Sequence, residues 1–355
     1  MTGFSEAERA AMRRALAIAA TPGVPLGPNP RVGCVLLSAD GRQVAEGYHR
    51  GAGTPHAEVA ALQALGGSAT GLTAVVTLEP CDHTGRTGPC SQALIEAGVG
   101  RVVHAMSDPN PDAAGGAATL RTAGVDVAAG LEAEGAARLN RHWLHGLEHR
   151  RPFVTWKFAG SLDGRSAAAD GTSRWVSNAA SRADTHLRRA EADVMMVGTG
   201  TVLVDDPSLT VRDTDGALLP HQPLRVVVGE RQLPPSARVL DDAAQTWVPG
   251  HSDLAAVLSD LYAAGRRHVF LEGGPGLAGA FLAAGLVDEV VAYVAPVLLG
   301  AGLEAVRGLV VPTIAAAPRF DVLDVARMGE PPDLDVRLIL RPRAAGPTGP
   351  TEKES

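Results

Sequence analysis

The sequence predicts an α/β protein built as two successive layered domains. Short apolar runs alternate with amphipathic helical stretches along most of the chain, the pattern of strands laid against helices. A polar segment, GLEHRRP (146–152), interrupts that alternation near the middle, and 355 residues suffice for two ordinary domains. The expected division is a first domain over 1–147, a second over 151–342 and a Gly- and Pro-rich tail, 343–355, that stays disordered.

In chain order, MTGFSEAERAAMRRALAIAA carries acids ahead of its apolar positions and predicts an amphipathic helix over 5–20 rather than a signal peptide. VGCVLLS (32–38) and 43–48 predict strands about an Asp40-Gly41 turn, with Cys34 in the core. A helix at 56–65, a strand at 73–79, a helix at 90–98 and a strand at 101–106 follow. A helix at 116–123, a short strand at 125–128 and a polar helix from 131 to 148 complete the first series, with the polar 146–152 as linker or domain edge. The second series reads as strand 153–161, helix 178–190, strands 192–198, 224–229 and 268–272, helix 276–284 and strand 289–299. The halves share a style but no repeat period.

Composition removes several classes of function. A net charge of −7 argues against a surface built for nucleic acid, and 4% aromatic residues argue against a base-stacking platform. No apolar run reaches membrane-spanning length. Three cysteines cannot all pair within the chain, which predicts reduced thiols and a cytoplasmic protein.

The stretch LEPCDHTGRTGPC (78–90) leaves Cys81 and Cys90 open to three readings: a disulfide, a zinc half-site or two buried thiols. His56-Ala57-Glu58 decides between them. It opens a predicted helix after Thr54-Pro55, while Cys81 follows a strand and Cys90 opens the next helix. The pattern is H-x-E…P-C…C. One imidazole and two thiolates make three zinc ligands and leave a fourth position for water, as a catalytic site requires. The helix start favours the Cys90 thiolate, and Glu58, two residues from a ligand, is placed to carry protons. A structural zinc site would need a fourth ligand such as His83, which would leave Glu58 without a task. In the second half, HVFLEGGPGLAGAFL (268–282) runs strand, Gly-rich turn, helix. Free amides at such a helix start suit a phosphate, although the turn lacks the G-x-G-x-x-G of a Rossmann unit and alone carries little.

The ten-residue CDHTGRTGPC, together with PNPRVGCV (28–35), GYHRGAGTPHAE (47–58), TLEPC (77–81) and SDPNP (107–111), resembles the pyrimidine deaminase half of the RibD family of bifunctional riboflavin biosynthesis proteins. KFAGSLDGR (157–165), GTSRWVS (171–177), RRAEADVMMVGTGTVLVDDPSLTVR (188–212) and LEGGP (271–275) resemble its reductase half. The resemblance implies a cytidine-deaminase-like three-layer domain followed by a dihydrofolate-reductase-like α/β domain, and Zn2+ and NADPH as cofactors. It implies a zinc-dependent deamination of a phosphorylated diaminopyrimidinone, then reduction of its ribosyl group to ribityl. Partners would be that small phosphorylated substrate and further copies of the chain, as a dimer or tetramer, with neither nucleic acid nor membrane.

Carried over residue by residue, the resemblance assigns the metal to His56, Cys81 and Cys90, proton transfer to Glu58, and the deaminase substrate to Asn29, His49 and Arg86. It assigns NADPH to Ala159, Trp175, Thr201, Asp205, Gly274, Pro275 and Gly276. The reductase substrate falls to Lys157, Asp163, Ser173, Arg189, Leu209, Arg212 and Glu272. Arginines at those positions suit a sugar phosphate. The chain departs from the family's usual residues at Asp82, Gly88, Gly160, Gly276 and Val297. Gly160 and Gly276 keep open an alternative, a deaminase with a degenerate, inactive reductase-like domain.

Overall fold

The structure, a computed structural model, describes residues 3–84, 88–213 and 216–343. The chain divides into two compact units, Met1–Pro152 with Leu261–Arg267, and Phe153–Asp260 with His268–Ser355.

The first unit opens on α1 (Glu6–Ala19), where the Ser5 hydroxyl accepts from the Glu8 amide and the Glu8 carboxylate accepts from the Ser5 amide. That reciprocal cap satisfies two amides otherwise orphaned at the helix start. It continues with β1 (Gly33–Leu37), β2 (Gln43–Tyr48), α2 (Ala57–Leu65), β3 (Thr73–Leu78), α3 (Cys90–Glu96), β4 (Arg101–Met106), α4 (Gly116–Thr122), β5 (Asp126–Ala129), α5 (Ala133–Leu139) and α6 (Arg141–His149). The sheet order is β2-β1-β3-β4-β5, with β1 antiparallel to both neighbours and β3 to β5 parallel.

All five residues of β1 are buried because both faces of the sheet are covered. Cys34 and Leu36 join Ala57, Ala61, Leu94 and Leu120 on one face. Val35 and Leu37 join Met12, Ala15 and Ala136 on the other. The alternation of side chains along the strand thus builds a three-layer sandwich, and Cys34 is core.

The helix predicted over 131–148 is broken at Asn140. Its side chain turns aside to accept from the Arg31 amide at 2.8 Å and to donate to the Arg31 carbonyl at 2.9 Å. The polar stretch at 146–152 lies at the edge of the first unit, whose first segment closes at Pro152, and within it α6 runs through His149. It ends on Arg150, whose φ of 53° is left-handed.

After Pro152 the chain continues with β6 (Phe153–Ser161), β7 (Arg165–Ala167), α7 (Ala179–Ala190), β8 (Val194–Gly198), α8 (Thr199–Asp205), β9 (Leu224–Val228), β10 (Thr246–Trp247) and α9 (Leu254–Ala263). It ends with β11 (His268–Leu271), α10 (Pro275–Ala283), β12 (Glu289–Ala295), β13 (Leu303–Glu304), β14 (Phe320–Glu330) and β15 (Asp333–Pro342). Eight strands form one sheet in the order β10-β9-β8-β11-β6-β12-β15-β14. It is parallel from β10 to β12, and β15 and β14 add an antiparallel edge. The β14–β15 hairpin and the helices α8 and α9 were not expected from the sequence. β12 stops at Ala295 rather than 299 because Pro296 has no amide to donate to a ladder. No helix among the described residues is long and apolar enough to cross a membrane.

Candidate active sites

In the first unit, β3 and the two helix starts beside it bring three side chains to one point. His56 is the N-cap of α2 and makes no capping bond with its side chain. Its Nδ1 lies 3.3 Å from Cys90 Sγ and 3.5 Å from Cys81 Sγ, and all three donor atoms lie within 4.8 Å of one another. A tetrahedral zinc at ordinary bond lengths would separate an imidazole nitrogen from a thiolate by about 3.6 Å. The donor set and its spacing therefore fit zinc. Cys81, Cys90 and Ala113 form a small buried cluster around the thiols, and all three cysteines are free of disulfides.

The electrostatics differ from the sequence expectation in one respect. The amide at the start of α3 points at the other cysteine: Cys90 N donates to Cys81 Sγ at 3.4 Å. Hydrogen bonding from Cys90, and then from His56, holds the Cys81 thiol down to about 4. Cys90, as the donor of that pair, is pushed up. Glu58 is 3% exposed, and burial, reinforced by the Cys81 thiolate, pushes its carboxyl up to about 7.

A cavity of about 490 Å³ opens onto these groups, and Asn29, His49, His56, Glu58 and Cys81 all line it. Burial lowers the His49 ring, so it is neutral. The partners assign its tautomer: Nδ1 donates to the Pro55 carbonyl at 3.1 Å, and Nε2 accepts from Asn29 Nδ2 at 3.1 Å. His49 thereby fixes the Asn29 amide. Arg86 lies outside the described residues. The cavity wall also includes His83, weighed from the sequence only as a structural zinc ligand, and Asp108, Asn110 and Trp143, none of them singled out. Burial raises the Asp108 carboxyl. The segment SDPNP, which contains Asp108 and Asn110, was the signal available, but an acid and an amide around prolines read as a turn.

In the second unit a cavity of about 460 Å³ lies by the carboxyl ends of β8 and β11, where sheets of this kind bind ligands. Lys157, Ala159, Ser173, Trp175, Arg189, Thr201, Asp205, Leu209, Glu272, Gly274 and Pro275 line it. Arg189 grips Glu272 with two bonds, at 2.5 and 2.7 Å. Burial alone would raise the Glu272 carboxyl, but Arg189 outweighs it and holds the group down to about 2. Burial lowers the Lys157 ammonium, which sits 5.7 Å from the centre of the Tyr293 ring. Gly274, the N-cap of α10, donates to Thr201 Oγ1 at 3.1 Å, which ties the starts of α8 and α10 together. The helix start, the bare glycine turn and the surrounding cations suit the phosphates of a nicotinamide dinucleotide.

Three predicted residues stay out of this cavity wall. Asp163 accepts from the Leu299 and Gly300 amides, at 3.1 and 2.8 Å, and shapes a turn. Arg212 donates to the Gly216 carbonyl at 2.8 Å. Gly276 sits one residue past the turn, where an added Cβ would meet nothing within 4 Å. The wall also includes Arg182, Thr185 and His186, which with Arg189 make an i, i+3, i+4, i+7 stripe on α7. That spacing was legible, but only Arg189 was taken from it.

Comparison with known proteins gives both halves relatives. Residues 5–106 match the cytidine and deoxycytidylate deaminase zinc-binding region, and residues 152–330 match the RibD C-terminal domain. The riboflavin biosynthesis protein RibD of Mycobacterium tuberculosis is 52% identical over 315 residues, covering 88% of this chain and 92% of that protein. RibD of Escherichia coli is 41% identical over 364 residues, covering 92% and 98%. A solved diaminohydroxyphosphoribosylaminopyrimidine deaminase/5-amino-6-(5-phosphoribosylamino)uracil reductase from Thermotoga maritima superposes with a TM-score of 0.84 at 32% identity, covering 95% of this chain and 99% of that one. Acinetobacter baumannii RibD superposes with a TM-score of 0.85 at 38% identity, covering 96% and 99%. With two sites of this geometry and relatives that span both of them, the chain belongs to the RibD family of riboflavin biosynthesis proteins.

Proposed function

We propose that the chain catalyses two consecutive steps of riboflavin biosynthesis. The first unit hydrolytically deaminates 2,5-diamino-6-ribosylamino-4(3H)-pyrimidinone 5′-phosphate, and the second reduces the ribosyl group of the product to ribityl with NADPH. The observation that carries this reading is the pairing, in one chain, of a His56–Cys81–Cys90 ligand set beside buried Glu58 with a separate cation-lined cavity against a glycine turn.

In the deaminase, His56, Cys81 and Cys90 hold zinc, which supplies a Lewis acid that activates water. Glu58, poised near neutrality, accepts a proton at its carboxylate and returns it to the departing amine. Asn29, held by His49, presents an amide to the pyrimidine edge, and Arg86 takes the phosphate. In the reductase, NADPH supplies the hydride. Thr201 and the Gly274-Pro275 turn hold its phosphates, with Gly276 one residue behind them, while Ala159, Trp175 and Asp205 complete that wall. Lys157, Ser173, Leu209 and the Arg189–Glu272 pair hold the substrate. Asp163 and Arg212 support the site through the turns they fix. Nothing in the second cavity favours a degenerate reductase, since Lys157, the Arg189–Glu272 pair and the glycine turn line it together.

The self-associating form is a homodimer or homotetramer. β14 is an edge strand that exposes Val322, Leu323 and Val325, an apolar stripe that pairing would cover. A protein that sediments as a monomer would refute this. The three free cysteines support a cytoplasmic location.

The test gives purified, zinc-replete protein the diaminopyrimidinone phosphate and follows product masses. The deaminated ribosyl product forms without NADPH, and the ribityl product appears once NADPH is added. Absence of the first product refutes the deaminase, and absence of the second refutes the reductase.

A further inference from the structure

The residue after each cysteine ligand is polar, and the two are joined. Ser91 Oγ donates to Asp82 Oδ1 at 2.5 Å. Ser91 N donates to the Cys81 carbonyl at 3.1 Å, so the Cys81-Asp82 and Cys90-Ser91 dipeptides are linked through both main chain and side chain. The other oxygen of Asp82, Oδ2, accepts from Thr119 Oγ1 of α4 at 2.7 Å, and the Asp82 amide donates to the Ala113 carbonyl at 2.9 Å. Ser91 is completely buried. The start of α4 is itself pressed against the residue before Cys81, because a Cβ on Gly116 would lie 1.8 Å from the Pro80 carbonyl oxygen.

We propose that Asp82 is a positioning residue for the metal, a carboxylate brace that holds Cys81 and Cys90 at ligand spacing before zinc binds. Eight residues separate Cys81 from Cys90, and bringing two ligands together across such a loop costs conformational entropy. Asp82 supplies two acceptor oxygens to two hydroxyl donors on different helices, so part of that cost is met in the metal-free fold. A serine at 82 has one shorter acceptor and cannot span Ser91 and Thr119 together. Partners that orient metal ligands from behind change affinity by roughly 10- to 100-fold when removed.

The inference rests on the zinc reading of the same site, and its test separates the two. Full-length wild type, Asp82→Ala, Asp82→Ser, Ser91→Ala and Thr119→Val are stripped of metal and titrated with zinc against a chromogenic chelator. Thermal unfolding is recorded with and without metal. Wild type takes up one zinc, and failure of that control refutes the zinc site itself. Asp82→Ala and Asp82→Ser bind zinc about 10- to 100-fold more weakly and release it faster to chelator. Ser91→Ala, the milder cut, weakens binding in the same direction, and Thr119→Val, which leaves the cysteine-to-cysteine link intact, does so by less. The gain in unfolding temperature on adding zinc shrinks in step. Reduction by the second unit stays at the wild-type level, and a cooperative unfolding transition in the metal-free variants reports that the first unit is folded. Unchanged zinc affinity and release in Asp82→Ala, or equal destabilisation with and without metal, would overturn the proposal.

Discussion

Glu58 and Glu272 are both largely withdrawn from water, yet their carboxyls move in opposite directions. Burial, reinforced by the Cys81 thiolate, outweighs the opposing pull of His56 and lifts Glu58 to about 7. Arg189 grips Glu272, and the pair is held ionised with Glu272 at about 2. Because the folded value of Glu272 lies below its ordinary 4.5, the pair stabilises the fold in full above pH 4.5 and loses that contribution as pH falls toward 2. Glu272→Gln therefore destabilises the second unit near neutral pH, by about 3–5 kcal/mol for a broken buried pair. Its unfolding temperature then changes less than wild type between pH 6 and pH 3, which calorimetry at the two pH values checks. Gly276 makes a complementary case. Open space at its missing Cβ leaves room for a hydroxyl beside the cofactor turn, so Gly276→Ser lowers the KM for NADPH about fivefold, roughly 1 kcal/mol for one added hydrogen bond. A steady-state NADPH titration reads it. The zinc ligands were legible as residues because few side chains bind that metal. Asp108 and Asn110 were not, because the same letters serve turns far more often than pockets.

At the scale of elements, the joint between α5 and α6 shows what periodicity conceals. The polar pattern over 131–148 runs through Asn140 without a break, but two bonds to Arg31 interrupt the helix there and fix the irregular segment, two residues past Asn29, that leads into β1. A contact 109 residues away along the chain leaves no local trace. Asn140→Ala should cost about 1–2 kcal/mol of stability and raise the deaminase KM about fivefold, roughly 1 kcal/mol for a displaced amide contact. Its kcat and the reductase kinetics should stay near wild type, which assaying the two reactions separately checks. The β14–β15 hairpin was missed for a different reason. DLDVRL alternates polar and apolar residues over 333–338, the signature of a strand with one wet face, but its partner strand carries a bulge between Val322 and Asp324 that breaks the same alternation.

For the whole molecule, the first sheet was the most legible part. Its strands are short, β1, β3 and β4 are almost wholly buried, and helices separate β2, β3, β4 and β5 from one another. The second sheet was read only in its parallel centre. Two catalytic units on one chain also make a prediction at this scale. Cys81→Ser abolishes deamination but spares reduction of supplied intermediate, and Lys157→Met does the reverse. Mixing the two variant proteins then restores conversion of the first substrate to the ribityl product, as followed by product mass. Failure of the mixture would mean that the intermediate is not released to solution.

Gly116 touches no ligand, holds no proton and faces neither cavity. Yet the Pro80 carbonyl oxygen occupies the place where its side chain would begin, and Pro80 immediately precedes a metal-binding cysteine. In a library of every single substitution selected for growth without supplied riboflavin, Gly116 would therefore tolerate as little as Cys81 itself. Selection would hold both positions equally fixed, one for the atom it contributes and the other for the atom it omits.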